Sequence, residues 1–160
     1  SFELAEAVVP AGDYSWTSAR LSVETTSNRL VWFEGAAQAG QFYDGWRTRL
    51  SGEVEWIPNR HFSVKLDYQY NDVDLEADAF DAHVGALGIK WNLTPDLGWS
   101  CLGQYDSVSD EVGFNSRLRW EYAPGSTIYL VLNQSLLTTD GSTELESTDL
   151  TLKANAVFRF

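Results

Sequence analysis

Hydrophobic and polar residues alternate most clearly at the end of the chain, from Leu150 to Phe160. One set of alternate positions holds Leu150, Leu152, Ala154, Ala156, Phe158 and Phe160. The other set is mostly polar and holds Thr151, Lys153, Asn155, Val157 and Arg159. Because successive side chains of a β-strand point to opposite faces, this pattern predicts a strand with one apolar face. The closing Phe-Arg-Phe places aromatic rings at the strand end, as at a membrane interface.

The same period of two recurs along most of the chain and predicts an antiparallel meander. We predict about nine strands, at residues 14–24, 29–38, 45–57, 61–71, 81–92, 97–106, 112–122, 127–135 and 147–160. Residues 1–13 alternate only in part and end in a Pro/Gly breaker, which fits a short strand or an extended loop. No segment has the 3.6-residue period of a helix, so the predicted fold class is all-β.

Two kinds of connection alternate between the predicted strands. The short connections are residues 25–29, 57–60, 93–96 and 123–126, and each contains a residue that favours a turn. The long connections are residues 39–45, 71–81, 106–111 and 135–147. Bacterial outer-membrane barrels have short periplasmic turns and longer extracellular loops. We therefore expect a transmembrane antiparallel up-and-down β-barrel whose last residue lies at the periplasmic end.

Aromatic residues favour the same arrangement, because a spanning barrel carries rings at both membrane interfaces. The rings near the short turns or the C-terminus are Trp56, Phe62, Trp91, Trp99, Trp120, Tyr122, Phe158 and Phe160. The rings near the long loops are Tyr14, Trp16, Phe42, Tyr43, Trp46, Tyr68, Tyr70, Phe80 and Tyr105. A soluble sandwich or lipocalin-like barrel would instead turn its apolar face inward. Alternation alone does not say which face is inside, and the two aromatic belts favour lipid outside.

Composition excludes several other classes of protein. The 160 residues include 11 Lys plus Arg against 23 Asp plus Glu, and a net charge of -12 argues against nucleic acid as a partner. No apolar run approaches the roughly 18 residues of a membrane helix. The single cysteine, Cys101, has no partner for a disulfide and lacks metal-site spacing. The chain contains no Met, so we expect a mature, processed or truncated product.

Charged residues on the expected inner face are the candidates for a pore lining. They are Arg47, Arg49, Glu53, Glu55, Lys65, Arg117, Arg119, Lys153 and Arg159. Charged side chains that line a pore can set its ion selectivity. The alternative is a paired network that fills a narrow lumen, because buried charges require opposite partners. Of these two interpretations, we favour the paired network.

Other candidate chemistry is weaker. The segments 71–81, 106–111 and 140–149 are acidic and contain neither Lys nor Arg, which fits a divalent-cation site or, in our preferred interpretation, solvated loops. His83 lies two residues after Asp81, a spacing that fits an outer-membrane hydrolase, but no nucleophile with a recognisable spacing accompanies it. His61 lies in a predicted turn. We therefore expect no enzyme, no cofactor and no metal.

Several local sequences occur together along the chain: P-A-G-D-Y at 10–14, G-Q-F-Y-D-G at 40–45, Q-Y at 104–105, N-S-R-L-R-W-E-Y-A-P-G-S at 115–126, I-Y-L-V-L-N-Q at 128–134 and the closing F-R-F. Together they resemble the C-terminal outer-membrane barrel domain of bacterial proteins of unknown function that carry an N-terminal family-nine-type carbohydrate-binding module. The block R-L-R-W-x-Y-x-P-G-S, from Arg117 to Ser126, is the most specific part. The resemblance implies an outer-membrane barrel with a link to glycans, and it assigns no catalytic residue.

The odd strand count needs an explanation, because single-chain bacterial barrels have even numbers of strands. Residues 2–9 could form a tenth strand, with residues 10–13 as a turn. Alternatively, the chain is the C-terminal part of a larger barrel that an upstream segment or another chain completes, since an open edge in lipid is untenable. The family resemblance and the absence of Met favour the second explanation.

These observations predict a protein of the bacterial outer membrane that acts as a pore, a translocation channel, or an anchor or scaffold for a larger assembly. Its expected surroundings are outer-membrane lipid and lipopolysaccharide. We expect Phe158 and Phe160 to form the signal that the barrel-assembly machinery recognises. The alternative function is a cell-surface barrel enzyme or glycan-binding protein, and a soluble ligand-binding barrel ranks third.

Overall fold

The structure is a computed structural model, and it describes residues 2–4, 7–9, 15–26, 29–75, 79–139 and 142–157. The strands are β1 (Phe2–Leu4), β2 (Ala7–Val9), β3 (Ser18–Glu24), β4 (Val31–Phe42), β5 (Gly45–Asn59), β6 (Phe62–Asp74), β7 (Ala79–Asn92), β8 (Leu97–Asp106), β9 (Glu111–Ala123), β10 (Ser126–Thr139) and β11 (Ser142–Asn155). The described residues contain no helix, so none is long and apolar enough to cross a membrane. The predicted all-β class is confirmed.

Nine strands form one antiparallel sheet in the order β11-β10-β9-β8-β7-β6-β5-β4-β3. Every neighbour in the sheet is also the neighbour in sequence, which confirms the predicted up-and-down meander. The first and last strands of this order, β3 and β11, do not pair with each other among the described residues. The sheet therefore has two free edges.

Residues 2–9 do not supply a tenth strand to this sheet. β1 and β2 pair with each other, from Phe2 opposite Val9 to Leu4 opposite Ala7, and they form a separate two-stranded sheet. Three residues per strand are too few to span the meander, whose longest strand has 15 residues. The tenth-strand explanation of the odd count is therefore wrong.

The prediction of long loops at one end of the strands is also wrong, because the strands continue through most of the residues assigned to these loops. The four connections at this end of the sheet are residues 43–44, 75–78, 107–110 and 140–141. The four at the other end are residues 25–30, 60–61, 93–96 and 124–125. The two ends do not differ in loop length, but each of the first four contains an Asp. We call the first end the acidic rim and the second the opposite rim.

The largest boundary error lies in the last hairpin. β10 runs to Thr139 and β11 starts at Ser142, with Thr139 opposite Ser142. The register shifts between Ser135 and Leu136, where β11 carries one extra residue. A β-bulge of this kind interrupts strict alternation, which explains why the pattern from 135 to 147 fits a loop. Arg159 and both predicted assembly residues, Phe158 and Phe160, lie outside the described residues.

The hydrogen-bonded rows of the sheet are inclined to its two rims. One row of paired residues crosses all nine strands: Ser22, Ala36, Ser51, Gln69, Val84, Asp106, Glu111, Leu137 and Glu144. This row starts near the opposite-rim end of β3 and reaches β11 near the acidic rim. Strand tilt and a staggered register accompany each other in β-barrels. The register of the sheet is therefore staggered from strand to strand.

Little of the described chain is buried in a hydrophobic core. The buried apolar residues there are Val73 and Leu75, and Phe42, Tyr43 and Phe80 pack against them at the acidic rim. A soluble domain of this length is stabilised mainly by a sizeable apolar core. Burial of an apolar core between layers therefore cannot be the main source of stability of this sheet.

Candidate functional site

One face of the nine-stranded sheet is apolar from edge to edge. Residues that the register places on this face include Leu21, Val23, Val31, Phe33, Leu50, Val54, Leu66, Leu87, Leu118, Leu130, Leu150 and Leu152. Their exposed fractions are high, for example 76% at Leu21, 52% at Leu66 and 70% at Leu152. Soluble monomers rarely expose a contiguous apolar surface of this extent. We call this surface the apolar face.

Aromatic side chains border the apolar face near the opposite rim. Trp91 on β7 stands directly opposite Trp99 on β8. The rings of Trp56 and Phe62 have centroids 6.1 Å apart at the β5–β6 hairpin. Trp120 also lies on this face and is half-exposed. The register thus aligns five strands, β5 to β9, so that their rings form one band.

The other face carries most of the charged side chains within the sheet, and we call it the polar face. Eight of the predicted lumen residues lie on it: Arg47, Arg49, Glu53, Glu55, Lys65, Arg117, Arg119 and Lys153. They come from β5, β6, β9 and β11. The structure therefore brings these eight residues to one surface, as the period of two predicts.

Lys65 is the centre of the densest charge cluster on the polar face. Its Nζ atom lies 2.9 Å from Glu53 Oε1 and 3.3 Å from Asp67 Oδ1. Glu53 stands directly opposite Glu34 on one side and Asp67 on the other. Like charges in directly opposite positions destabilise a sheet. Lys65 compensates for this repulsion because it bonds to two of the three carboxylates.

The other basic residues on the polar face are bound in different ways. Arg49 donates a hydrogen bond to Gln69, and Arg119 pairs with Glu121 on its own strand. Two arginines lie against aromatic rings. The guanidinium carbon of Arg47 is 4.2 Å from the ring centroid of Phe42, and that of Arg117 is 4.7 Å from that of Tyr129. These are cation–π distances.

All these contacts join residues of one strand or of adjacent strands. Among the described residues, no ion pair crosses from one part of the sheet to a distant part. The paired side chains also remain accessible, with 40% of Lys65 and 39% of Arg119 exposed. In this open sheet, the charges of the polar face are therefore paired locally and half-solvated.

A second cluster lies on the apolar face, joins β6 to β7 and extends from the middle of these strands towards the acidic rim. The hydroxyl of Tyr68 lies 2.6 Å from Nδ1 of His83, and Nε2 of His83 lies 2.9 Å from Oδ2 of Asp81. One tautomer satisfies both bonds: the Nε2 hydrogen is donated to Asp81, and Nδ1 accepts the Tyr68 hydrogen. The backbone amide of His83 donates to the Ser107 hydroxyl at 2.8 Å. The chain Tyr68–His83–Asp81, which we call the relay, thus holds the imidazole at both nitrogens.

The surroundings of the relay combine rings with open space. The Tyr70 ring lies 4.8 Å from the His83 ring, and Tyr70 stands opposite His83 in the register. Tyr68 stands between Gly52 on β5 and Gly85 on β7. A Cβ atom added at either glycine would meet nothing within 4 Å. The ring of Tyr68 therefore projects from a shallow, glycine-floored surface.

The other predicted candidates have ordinary roles where the structure describes them. His61 lies in the β5–β6 turn, where its Nδ1 is 2.9 Å from the backbone oxygen of Asn92. Cys101 is a free, partly buried cysteine on the apolar face, opposite Ile89 and Ser116. Within the described ranges, no group of three or more His, Cys, Asp and Glu side chains is placed to hold a metal ion.

Sequence reasoning singled out His83 and Asp81 but missed the role of Tyr68. The residues at i and i+2 of a strand share a face, so the Asp81–His83 pair is readable from spacing. The contact with Tyr68 depends on the β6–β7 register, which the residues between the strands do not reveal. The glycines on either side of Tyr68 are the signal that could have drawn attention to it, because glycine inside a strand often marks a close approach.

No protein-family model matches this sequence, and no curated protein matches it.

Proposed function

We propose that this chain forms part of a transmembrane β-barrel in a bacterial outer membrane, where it acts as a pore, a translocation channel, or an anchor or scaffold for a larger assembly. The observation that carries the proposal is the apolar face, which continues across nine register-aligned strands with large exposed side chains. Lipid chains would cover this face, and the polar face would line the interior. The band formed by Trp56, Trp91, Trp99 and Trp120 fits a membrane interface.

Backbone pairing supports the same proposal. In a bilayer, every backbone N–H and C=O group needs a partner, and a continuous antiparallel sheet satisfies these groups between its strands. The stagger of the rows fits a wall whose strands are tilted to the membrane normal. The expected surroundings are outer-membrane lipid and lipopolysaccharide.

The test of membrane insertion is extraction and folding. The proposal predicts that the chain fractionates with outer membranes, requires detergent for extraction, and migrates differently on gels before and after heating. A monomer that is folded and fully dispersed in detergent-free buffer would exclude the proposal. In that case the third class, a soluble ligand-binding barrel, would take its place.

Conductance separates a pore from an anchor. We propose a water-filled interior, which Arg49, Lys65 and Arg119 on the polar side of β5, β6 and β9 would line. Stable single-channel currents in planar bilayers are the expected result. Heat-modifiable protein without such currents would assign the anchor or scaffold role.

Assembly is the third part of the proposal. We propose that the C-terminal aromatic residues, Phe158 and Phe160, are recognised by the barrel-assembly machinery. Phe160→Ala should lower the yield of membrane-inserted protein while leaving the properties of the inserted fraction unchanged. An inserted yield equal to the wild type would contradict this assignment. The proposed relation to barrel domains linked to carbohydrate-binding modules is based on the local sequences at 10–14, 40–45, 104–105, 115–126 and 128–134 and on the closing F-R-F.

A surface enzyme or glycan-binding protein is the second candidate, and the relay favours it. A carboxylate that orients an imidazole, which in turn accepts a hydroxyl hydrogen, is the arrangement of an activated nucleophile or general base. The exposed Tyr68 ring and the partly buried Tyr70 ring near Asp81 also suit a sugar. Hydrolysis or glycan binding that is lost in His83→Ala and in Tyr68→Phe would support this candidate. Activity unchanged in both variants would exclude the relay as its source.

A further inference from the structure

The two free edges of the sheet run in the same direction. β3 and β11 are separated by seven strands in an antiparallel meander, so both descend from the acidic rim to the opposite rim. Pairing β3 with β11 would therefore make one parallel seam in an antiparallel barrel. Both strands are exposed along their whole length, as expected for edges without a neighbour.

We infer that the barrel is completed by a segment that brings an odd number of strands between β11 and β3 and pairs antiparallel with both. This inference rests on the proposed membrane barrel, because an unpaired edge is untenable only in lipid. A strand next to β3 must ascend, and so must a strand next to β11. An up-and-down segment that starts and ends with ascending strands contains an odd number of them. The complete barrel then has an even number.

A second copy of this chain does not fit the edges. Two copies inserted in the same orientation would bring β3 of one next to β11 of the other, and both strands descend. Pairing of two β3 strands in antiparallel fashion would require one copy to be inverted in the membrane. The partner segment is therefore different from this meander.

Charged residues on the edge strands predict which residues the partner segment carries on its inner face. Arg20 on β3 and Lys153 on β11 point to the polar face, and neither forms an ion pair with another described residue. Cross-strand pairs of opposite charge stabilise a sheet, and like pairs destabilise it. We expect an acidic residue opposite each of these two positions. On its outer side, the segment should be apolar, to continue the surface of Leu21 and Leu152.

The experiment maps strand direction by photo-crosslinking in intact outer membranes of cells that make the full protein. A photoreactive p-benzoylphenylalanine replaces Arg20, Glu24, Asp149 or Lys153 in four separate variants, and mass spectrometry identifies each crosslinked peptide. For an antiparallel neighbour, the site reached from Arg20 lies later in the partner segment than the site reached from Glu24. The same reversed order is expected for Asp149 and Lys153. The same label at Asn115, inside the sheet, should reach only β8 and β10 and serves as the control.

Reversed order at both edges is the result that supports the inference. Crosslinks between β3 and β11 would show a parallel seam and overturn it. Forward order at either edge, or a second copy of this chain as the partner, would also overturn it. Edge labels that reach only β4 or β10, while the Asn115 label works, would show that the edges stay open and would overturn the inference. Because crosslinking reports pairing whether or not the protein is heat-modifiable, failure of this inference is distinguishable from failure of membrane insertion.

Discussion

The two faces of the sheet are built from the same strands, yet their exposed side chains differ in chemistry and in the contacts that they make. On the apolar face, large side chains such as Leu66 and Leu87 remain about half exposed without any covering element. On the polar face, charged side chains bind neighbours on the same or the next strand. A single sheet encloses no core, so each face must be stabilised by the solvent, lipid or protein that contacts it. The contrast is the one that the proposed membrane barrel requires, with lipid on one side and water on the other.

Thiol labelling should show the largest contrast between the faces, because Ser100 and Cys101 are consecutive residues of β8. In bilayers, Cys101 on the apolar face should react slowly with a water-soluble maleimide. In the double variant Ser100→Cys with Cys101→Ser, the thiol on the polar face should react rapidly if the lumen is open to water. Labelling rates in vesicles and in denaturant make the comparison. If the thiols at positions 100 and 101 both reacted slowly in vesicles, the result would contradict a solvated polar face.

Charge insertion should give the next largest contrast. Leu87→Arg places a guanidinium on the apolar face and should destabilise the membrane-folded state by about 2–4 kcal/mol, since arginine is costly near the bilayer midplane. Ala86→Arg, on the adjacent residue and the polar face, should cost much less. The free energy of unfolding by urea in phospholipid vesicles measures both. Similar losses for the two variants would argue against lipid on the apolar face.

Loss of the Lys65 charge should have a moderate effect. Lys65→Met leaves Glu53 and Asp67 opposite each other without a cation and should lower stability by about 1 kcal/mol, as for half-exposed pairs. Lys90→Met, also on the polar face, removes a lysine that forms no ion pair with a described residue. The same urea unfolding experiment compares the two. The effect of Lys65→Met should weaken in high salt, and a salt-independent loss would point to packing instead.

Removal of one hydroxyl from the relay should have the smallest effect on stability. Tyr68→Phe leaves the ring in place and deletes the bond to His83 Nδ1, which should cost about 0.5 kcal/mol at this exposed site. Tyr122→Phe, near the opposite rim, serves as the aromatic control. A large loss of stability in Tyr68→Phe would show that the relay is structural, whereas a lost activity with stability intact would favour a functional site.

The features that were predictable from the sequence are those that depend on the position of a residue within one strand. Arg47, Glu53 and Lys65 were placed on one face by alternation alone, because the backbone of a strand sends successive side chains to opposite sides. The same rule predicts the shared face of Asp81 and His83. Neither conclusion needs the position of a neighbouring strand.

The errors arose where local signals competed. Residues 135–147 look like a loop because polar residues cluster there, yet β10 and β11 continue to Thr139 and from Ser142. In the sequence, the Asp140-Gly141 pair is a hairpin signal. The bulge after Ser135 changes the phase of alternation and hides the strand from a period-two search.

By itself, the sequence determined the all-β class, the alternation of faces and the positions of most strands, because these depend on spacing within ten or so residues. Only the tertiary structure decided the contact of Tyr68 with His83, the separate pairing of β1 and β2, and the two edges left free by β3 and β11. These features depend on register between strands. The register decides which residues of two neighbouring strands stand opposite each other. Alternation within one strand is compatible with several registers, so it does not determine these pairs.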